Sequence, residues 1–446
     1  MKIIITNTVA LNGGDAAILF SIVDLLRLEF GQDTEIIIYD SQPEIASKYY
    51  SNLLFRKLVY LKATQPPSMN FLGKSLFGST VRNFLVIFIK IILMINPIRL
   101  YLAVWLWRNQ NYFAVKFLLN SEEIQDFKNY SSADLVVSTG GTYLIEKYSL
   151  KARIFDYKMT LMLRRPLVFF TQSLGPFNKI KNQNIFRKIF NKSTLVMLRD
   201  EASYDNLKQI NANLNKVLIS SDVVFSFTDD VGFHKDIYKK NVSSSRVKIA
   251  ISVRYWNHFT KVSQKDGFTN FVEVMSEVTQ YLIEKYNAEI TYISTCQGIP
   301  EYWTDDSKVA EEIINLLPNQ IQKQVHLNKD FHSPKKLVGI IRNYDVVIAT
   351  RMHMAILSLI AGTPVFPIAY EFKTKELFRR LGMDEWVQDI ETINKEVIIT
   401  SLDDFLIKLP EISSALFLKV LAERNRALES GKKVKKAWDE FNGVQL

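Results

Sequence analysis

The stretch TRMHMAILSLIAGTP, residues 350–364, follows directly on an apolar run, DVVIA. It sets Arg351 and His353 where a buried strand gives way to a helix, and apolar packing needs neither. Ile356, Leu359 and Ile360 recur at helical spacing and Gly362 provides a stop. Arg351 and His353 therefore fall at the helix N-terminus. The macrodipole is positive there and the first N–H groups lack partners. Two cation-capable side chains at such a point are locally unfavourable, and an anionic ligand relieves the conflict. Arginine offers a planar fork suited to carboxylate or phosphate. Histidine is the side chain most easily poised as an acid near neutral pH. The pair points to an anion and a proton transfer, against the plainer alternative of a surface arginine and a hydrogen-bonded core histidine.

Other strand ends carry polar residues of the same kind. AISVR (250–254) puts Arg254 at the end of a strand, and Lys373, in AYEFKTKEL, opens the helix after the next one. Both are candidates to complete a cation cluster, although Lys373 also reads as a solvated lysine. Towards the N-terminus, NGGDAA (12–17) joins a strand to a helix, its glycines allowing close backbone approach and Asp15 reading as an N-cap or a sugar-orienting carboxylate. STGGTYL (138–144) sets Gly140 and Gly141 directly after a strand. TQSLGPF (171–177) offers Gln172 and Ser173 as amide and hydroxyl contacts for a sugar. In RDEAS (199–203), Arg199 ends a strand and Asp200 is placed to cap the next helix. The histidines show no metal-ligand spacing, and no phosphate-binding loop of the Walker type, serine elbow or CxxC is present.

These residues are positioned by an alternation of short apolar runs with helical stretches. KIIITN, the helix GDAAILFSIVDLLRLEFG and TEIIIYD form a strand–helix–strand unit, hence a parallel sheet. The alternation resumes after residue 121 and runs to about 230. A polar stretch at 228–246 reads as a linker, and a second series of the same architecture covers 247–410. Two α/β domains of this kind imply a cleft, with ligands beyond the carboxyl ends of the strands. Residues 411–446 read as a charged C-terminal helix.

The 446-residue chain carries a net charge of +10, and the excess is local. Residues 45–121 hold ten basic side chains and no Asp or Glu, which leaves 46 basic against 46 acidic elsewhere. FLVIFIKIILMI (84–95) and IRLYLAVWLW (98–107) lie within this segment, broken by Lys90, Pro97 and Arg99. Neither run reaches the ~20 apolar residues that a spanning helix needs. A basic, aromatic-rich apolar segment suits an anionic membrane surface; a hairpin packed on the protein's own core and a dimer interface are the alternatives. Nucleic acid is not expected as a partner, because the cations are interleaved with aliphatics and no nucleic-acid module is present. The single cysteine, Cys296, and the absence of a signal-peptide pattern lead to a cytoplasmic expectation, peripheral at the inner face of the cell membrane.

Taken in order, NGGDAA, STGGTYL, SLGPF, RDEAS, ISVR and TRMHMAILSLIAGTPVFPIAYEFKTKEL resemble the polysaccharide pyruvyl transferase family over about residues 12–382. One departure is SDVVF (221–225), where Val223 stands in place of the proline common in the family. The resemblance implies two Rossmann-like domains facing a cleft, similar to glycosyltransferases of the GT-B type. It implies transfer of pyruvate from phosphoenolpyruvate, as co-substrate, onto two hydroxyls of a sugar or lipid-linked oligosaccharide, with no metal or organic cofactor. His353 is then the candidate acid, and Arg254, Arg351 and Lys373 hold the donor. Asn12, Gly14, Asp15, Gly140, Gly141 and Gln172 would hold the acceptor. The alternative is a nucleotide-sugar glycosyltransferase of the same fold, for which EYWTDD (301–306) is the nearest acidic candidate for a ribose diol.

Overall fold

The computed structural model describes residues 1–64, 95–238 and 246–443. The chain forms two compact units, each built on its own parallel sheet. The first comprises 1–9, 22–220 and 430–446. Its strands are β1 (Lys2–Thr8), β2 (Glu35–Asp40), β3 (Leu54–Lys57), β4 (Leu135–Ser138), β5 (Gly141–Leu144), β6 (Leu167–Leu174), β7 (Leu195–Leu198) and β8 (Val217–Ile219). They run in the order β3-β2-β1-β4-β6-β7-β8, with β5 beside β6. Ile4 lies between Ile37 and Val136, and Val136 lies beside Leu167. All eight residues of β6 are buried, as expected of a strand covered on both faces. Phe127, Tyr130, Phe155, Phe169, Phe186 and Phe190 fill the core against this sheet. Each such burial contributes roughly 1.5–3 kcal/mol before entropy is counted.

The second unit comprises 10–21 and 221–429. Its strands are β9 (Lys248–Ser252), β10 (Glu289–Tyr292), β11 (Val325–Leu327), β12 (Val346–Ala349), β13 (Val365–Ala369) and β14 (Gln388–Asp389), in the order β11-β10-β9-β12-β13-β14. In both sheets the order reverses once, at β1/β4 and at β9/β12. Such switch points are where open α/β sheets bind ligands.

The units do not follow the expected chain boundaries near 230 and 247. The loop 10–21 belongs with the second unit, where Gly13 N–H donates to the Thr295 carbonyl (3.1 Å). Part of the expected linker is built into the same unit. Tyr238 is buried with its hydroxyl on the Leu359 carbonyl (2.8 Å), and Asp229 pairs with Arg342 at 2.7 Å. Residues 239–245 of that stretch lie outside the described residues. The C-terminal helix, Leu409–Phe441, counts with the second unit through 429 and with the first from 430.

The basic segment 45–121 is not a simple insertion, since Leu54–Lys57 forms the edge strand β3. Its cations also divide. Arg56 and Lys62 are paired with the buried Asp126 at 2.6 and 2.7 Å, and Arg99 with the buried Glu123 at 2.6 Å. Lys74, Arg82, Lys90 and nearly all of the run 84–95 lie outside the described residues. Among the described residues no helix is long and apolar enough to cross a membrane.

Candidate active site

Three of the expected donor residues sit beyond the carboxyl ends of β9, β12 and β13, three adjacent strands. Tyr370, one residue past β13, organises two of them. The Arg254 guanidinium stacks on its ring at 4.2 Å and on Trp256 at 5.4 Å, while Trp256 leans on Tyr370 at 4.6 Å. Lys373 Nζ lies 5.9 Å from the same ring and 2.8 Å from Glu371. Arg254 Nε donates to the Tyr255 carbonyl at 3.3 Å; stacking uses no N–H donor, so the two terminal nitrogens of Arg254 are left to face an oxyanion.

Arg351 is placed differently from expectation. Its Nε and Nη2 donate to the two oxygens of Asp306, both at 2.6 Å, and the pair is buried. Asp306 is held in turn by Ser294 Oγ (2.6 Å), which accepts from Ser252 Oγ at 3.1 Å. Burial works against the guanidinium charge, but attraction to Asp306 more than offsets it, so Arg351 stays charged. Its charge is balanced locally, and a rigid ion pair forms the floor of the site. Asp306 is one of the three acids of EYWTDD, the stretch weighed for a ribose diol in the alternative function; it is engaged here with Arg351. Cys296 lies nearby, and burial pushes its thiol up to about 12.

His353 occupies the first turn of the helix Met352–Ile360. Its ring packs on Gly14, in the first turn of the helix Gly13–Phe30. A Cβ at Gly14 would fall 2.5 Å from His353 Nδ1 and 2.9 Å from its Cβ. The glycine is needed there for space. His353 thus lies at two helix N-termini, both of which favour an anion beside it. On its other edge, Nε2 is 3.6 Å from Asp222 Oδ2. Asp222 is itself fixed, because its Oδ1 caps the short helix Val223–Ser226 through Val224 N–H at 3.0 Å. An aspartate beside an imidazole can orient it and stabilise its protonated form.

Asn12, Gly14 and Asp15 belong to this unit rather than to the first. The helix begins at Gly13, so Asn12 caps it, accepting from Gly14 N–H at 3.1 Å, and Asp15 stands in the first turn. The expected capping role of Asp15 passes to Asn12 for that reason. Asn12 also hydrogen-bonds Tyr302, a hydroxyl that feels the charge of Asp15.

Gly140, Gly141 and Gln172 lie in the first unit at its own switch point. Gly141 has φ +128, a conformation suited to glycine. Gln172 Nε2 donates to the Gly141 carbonyl at 2.6 Å. The Gln172 Oε1, Thr171 Oγ1 and both polar atoms of the Asn7 side chain are buried and find no hydrogen-bond partner among the described residues. Asn7 and Thr171 also adopt positive φ, +66 and +40, where β1 and β6 are bulged. Unused hydrogen-bonding capacity combined with local strain is uncommon away from functional sites. Arg199 and Asp200 are structural here. Ser173 bridges them, and Asp200 caps the next helix through Ser203 N–H at 2.7 Å.

Spacing alone did not reveal Asp306 and Asp222. The only local signals were the paired acids of EYWTDD and the Asp of SDVVF. Among the described residues no cluster of His, Cys, Asp and Glu is arranged to hold a metal ion.

Two Rossmann-like units with polar residues at their sheet switch points define an α/β fold of the GT-B type. Solved structures share it. A glycosyltransferase from Rickettsia africae superposes with a TM-score of 0.56 at 13% identity over 100% of this chain and 99% of that one. Anabaena Alr3699/HepE in complex with UDP gives 0.55 at 13% identity over 99% and 100%. At such identities the likeness concerns the fold alone. The sequence is more specific: residues 12–371 match the profile of the polysaccharide pyruvyl transferase family, and the chain belongs to that family of transferases. It is 27% identical over 434 residues to the amylovoran biosynthesis protein AmsJ of Erwinia amylovora, covering 95% of this chain and 96% of that protein.

Proposed function

We propose that the protein transfers the pyruvyl group of phosphoenolpyruvate to two hydroxyls of a sugar in a cell-surface polysaccharide or its lipid-linked precursor, forming a cyclic ketal and releasing phosphate. The observation that carries this reading is the placement of His353 against Gly14 and Asp222, two residues from the Arg351–Asp306 pair. Arg254 and Lys373 supply the cations for the donor's carboxylate and phosphate, assisted by two helix N-termini. Arg351 holds the floor of the donor pocket.

Protonated His353 delivers its proton to the methylene carbon of the enol. The adjacent carbon becomes electrophilic and a sugar hydroxyl adds to it. The C–O bond to phosphate then breaks, and the second hydroxyl closes the ketal. Of the two protons the diol gives up, one balances that on the new methyl group and the other leaves with phosphate. Asp222 steadies the imidazolium, and preorganised charge accounts for much of the rate. In the first unit Gly140, Gly141 and Gln172, with the unused polar groups of Asn7 and Thr171, suit a hydroxyl-rich ligand; in the second unit Asn12 and Asp15 flank Gly14, on which His353 packs. The chemistry calls for no metal or organic cofactor. A nucleotide-sugar reaction would need an acid for the ribose diol; of the acids in EYWTDD, Asp306 is engaged by Arg351, which leaves Glu301 and Asp305 for that role.

The test is phosphate release from phosphoenolpyruvate with a membrane extract as acceptor source, comparing wild type with His353→Ala. Acceptor-dependent release that the variant loses supports the proposal. Thermal stabilisation by a nucleotide sugar and not by phosphoenolpyruvate would overturn it.

A further inference from the structure

The part of the basic segment that the structure describes forms a helical hairpin on the first unit. Its first helix, over 95–108, buries Leu100, Ala103 and Val104. Its opposite face exposes Ile95, Ile98, Leu102 and Trp105, spaced three, four and three residues apart. That spacing is a single helical stripe. The second helix, Tyr112–Leu118, buries Val115 and exposes Phe113 and Phe117 at 75% and 76%, their rings in edge contact at 5.0 Å. Single exposed apolar side chains are ordinary; six large ones on one short hairpin are not.

Beside the hairpin lies a cavity of about 710 Å³. Five cations line it: Arg108, Lys116, Lys128, Arg164 and Arg165, with no carboxylate among the lining residues. None of the five forms an ion pair among the described residues, in contrast to Arg56, Lys62 and Arg99 on the packed side. Arg165 Nε is buried without a hydrogen-bond partner among those residues. Arg164 and Arg165 follow the C-terminus of the helix Lys151–Met162, where a cation is favourable. That accounts for two of the five. It does not account for three more converging from three other helices. Nor does it explain an arginine at φ +57, where glycine is the usual residue. Trp107 and Tyr112, packed edge-on at 5.2 Å, line the cavity beside these cations.

We propose that this hairpin and cavity form a docking face for an anionic lipid bilayer, the six apolar side chains entering the acyl boundary and the cavity receiving phosphate-bearing headgroups. Charge complementarity selects this occupant over a second copy of the chain, which would bring five uncompensated cations against five. The inference goes beyond the transfer reaction and does not depend on it.

The test is co-sedimentation of the full chain with phosphatidylcholine vesicles, with and without phosphatidylglycerol, at low and high salt. Binding is expected only to the anionic vesicles and is expected to fall with salt. Lys116→Gln with Arg164→Gln should weaken it about 25-fold, at roughly fivefold per surface cation. Phe113→Ser with Phe117→Ser should abolish it while leaving the melting temperature unchanged, since both rings are exposed. Three results overturn the proposal: no binding by the wild type at low salt, binding indifferent to both double variants, or a wild-type dimer that the phenylalanine variant dissolves.

Discussion

Replacing Gly14 with alanine separates the demands of folding from those of chemistry. Gly14 is the second residue of its helix, and its φ is not positive, so alanine suits the backbone. In a helix interior the change would be worth up to ~1 kcal/mol of stabilisation. The new methyl group, however, would lie 2.5 Å from His353 Nδ1 and 2.9 Å from its Cβ and Cγ. Ordinary contact begins near 3.4 Å, so the ring must move by about 1 Å. Overpacking of this kind costs ~1–3 kcal/mol, leaving a net loss of at most about 3 kcal/mol. The catalytic consequence is larger, because a displacement of about 1 Å at a reacting group costs on the order of 100-fold in rate. Gly14→Ala should therefore fold, bind phosphoenolpyruvate and release phosphate about 100-fold more slowly. The assay pairs turnover with urea denaturation of the same preparation. Gly13→Ala is the internal contrast: its methyl would overlap the Thr295 carbonyl, a backbone atom, so it should lose stability first. Wild-type turnover by a well-folded Gly14→Ala protein would refute the placement of His353 at the chemistry.

Three other outcomes are expected. Asp306→Ala leaves a buried guanidinium without its carboxylate and should cost ~3–5 kcal/mol in denaturant unfolding; Arg351→Met in the same background should recover most of it. A loss below about 1 kcal/mol for Asp306→Ala would show that the pair is not closed in solution. Cys296, its thiol pushed up to about 12 chiefly by burial, should resist Ellman's reagent near pH 8 until the protein is unfolded; prompt reaction of the native protein contradicts that burial. Asp156 is fully buried, and burial raises its carboxyl to about 7 against hydrogen bonds from Thr6 (2.6 Å) and Tyr130 (3.2 Å). A carboxyl whose folded value lies above its unfolded one holds its proton longer when folded, so stability falls as pH rises from about 4 to about 7. Asp156→Asn should thus stabilise the protein near pH 8, by no more than about 4 kcal/mol, and change little near pH 4. An effect that does not vary with pH would mean that Asp156 does not titrate in this range.

Much of the fold was legible because parallel α/β sheets write buried strands as unbroken apolar runs. KIIITN, PLVFFTQSL and DVVIA needed no tertiary information. The strands that escaped were short or at an edge: LFRK carries two cations, and Gln388–Asp389 has no apolar residue. The positions of Arg254, Arg351, His353 and Lys373 were legible for a related reason, since such folds place ligands beyond the carboxyl ends of strands. Their partners were not. Asp306 lies 45 residues before Arg351, and Asp222 lies 131 before His353. No periodicity links residues so far apart. The Asn-Gly-Gly-Asp run suggested Asp15 as the cap, but the helix begins two residues earlier, at Gly13, which gives that role to Asn12.

The closed state of Arg351 changes how the electrostatics of the site work. An open arginine at a helix N-terminus would demand an anion even in the resting protein. With Asp306 bound to it, the floor is close to neutral. What remains to attract the phosphoenolpyruvate donor proposed above is Arg254 on its aromatic support, Lys373 shared with Glu371, and the partial charges of two helix N-termini. These are moderate fields. They suit a product that must leave: a phosphate ion facing three uncompensated cations would be held tightly enough to slow release. The same reasoning separates the two arginines by experiment. Arg254→Lys loses the stacked fork and should weaken donor binding while the fold survives, because the side chain is partly exposed and a lysine cannot reproduce that stacking. Arg351→Lys keeps the charge but not the bidentate bond to Asp306, and its first effect should be on stability.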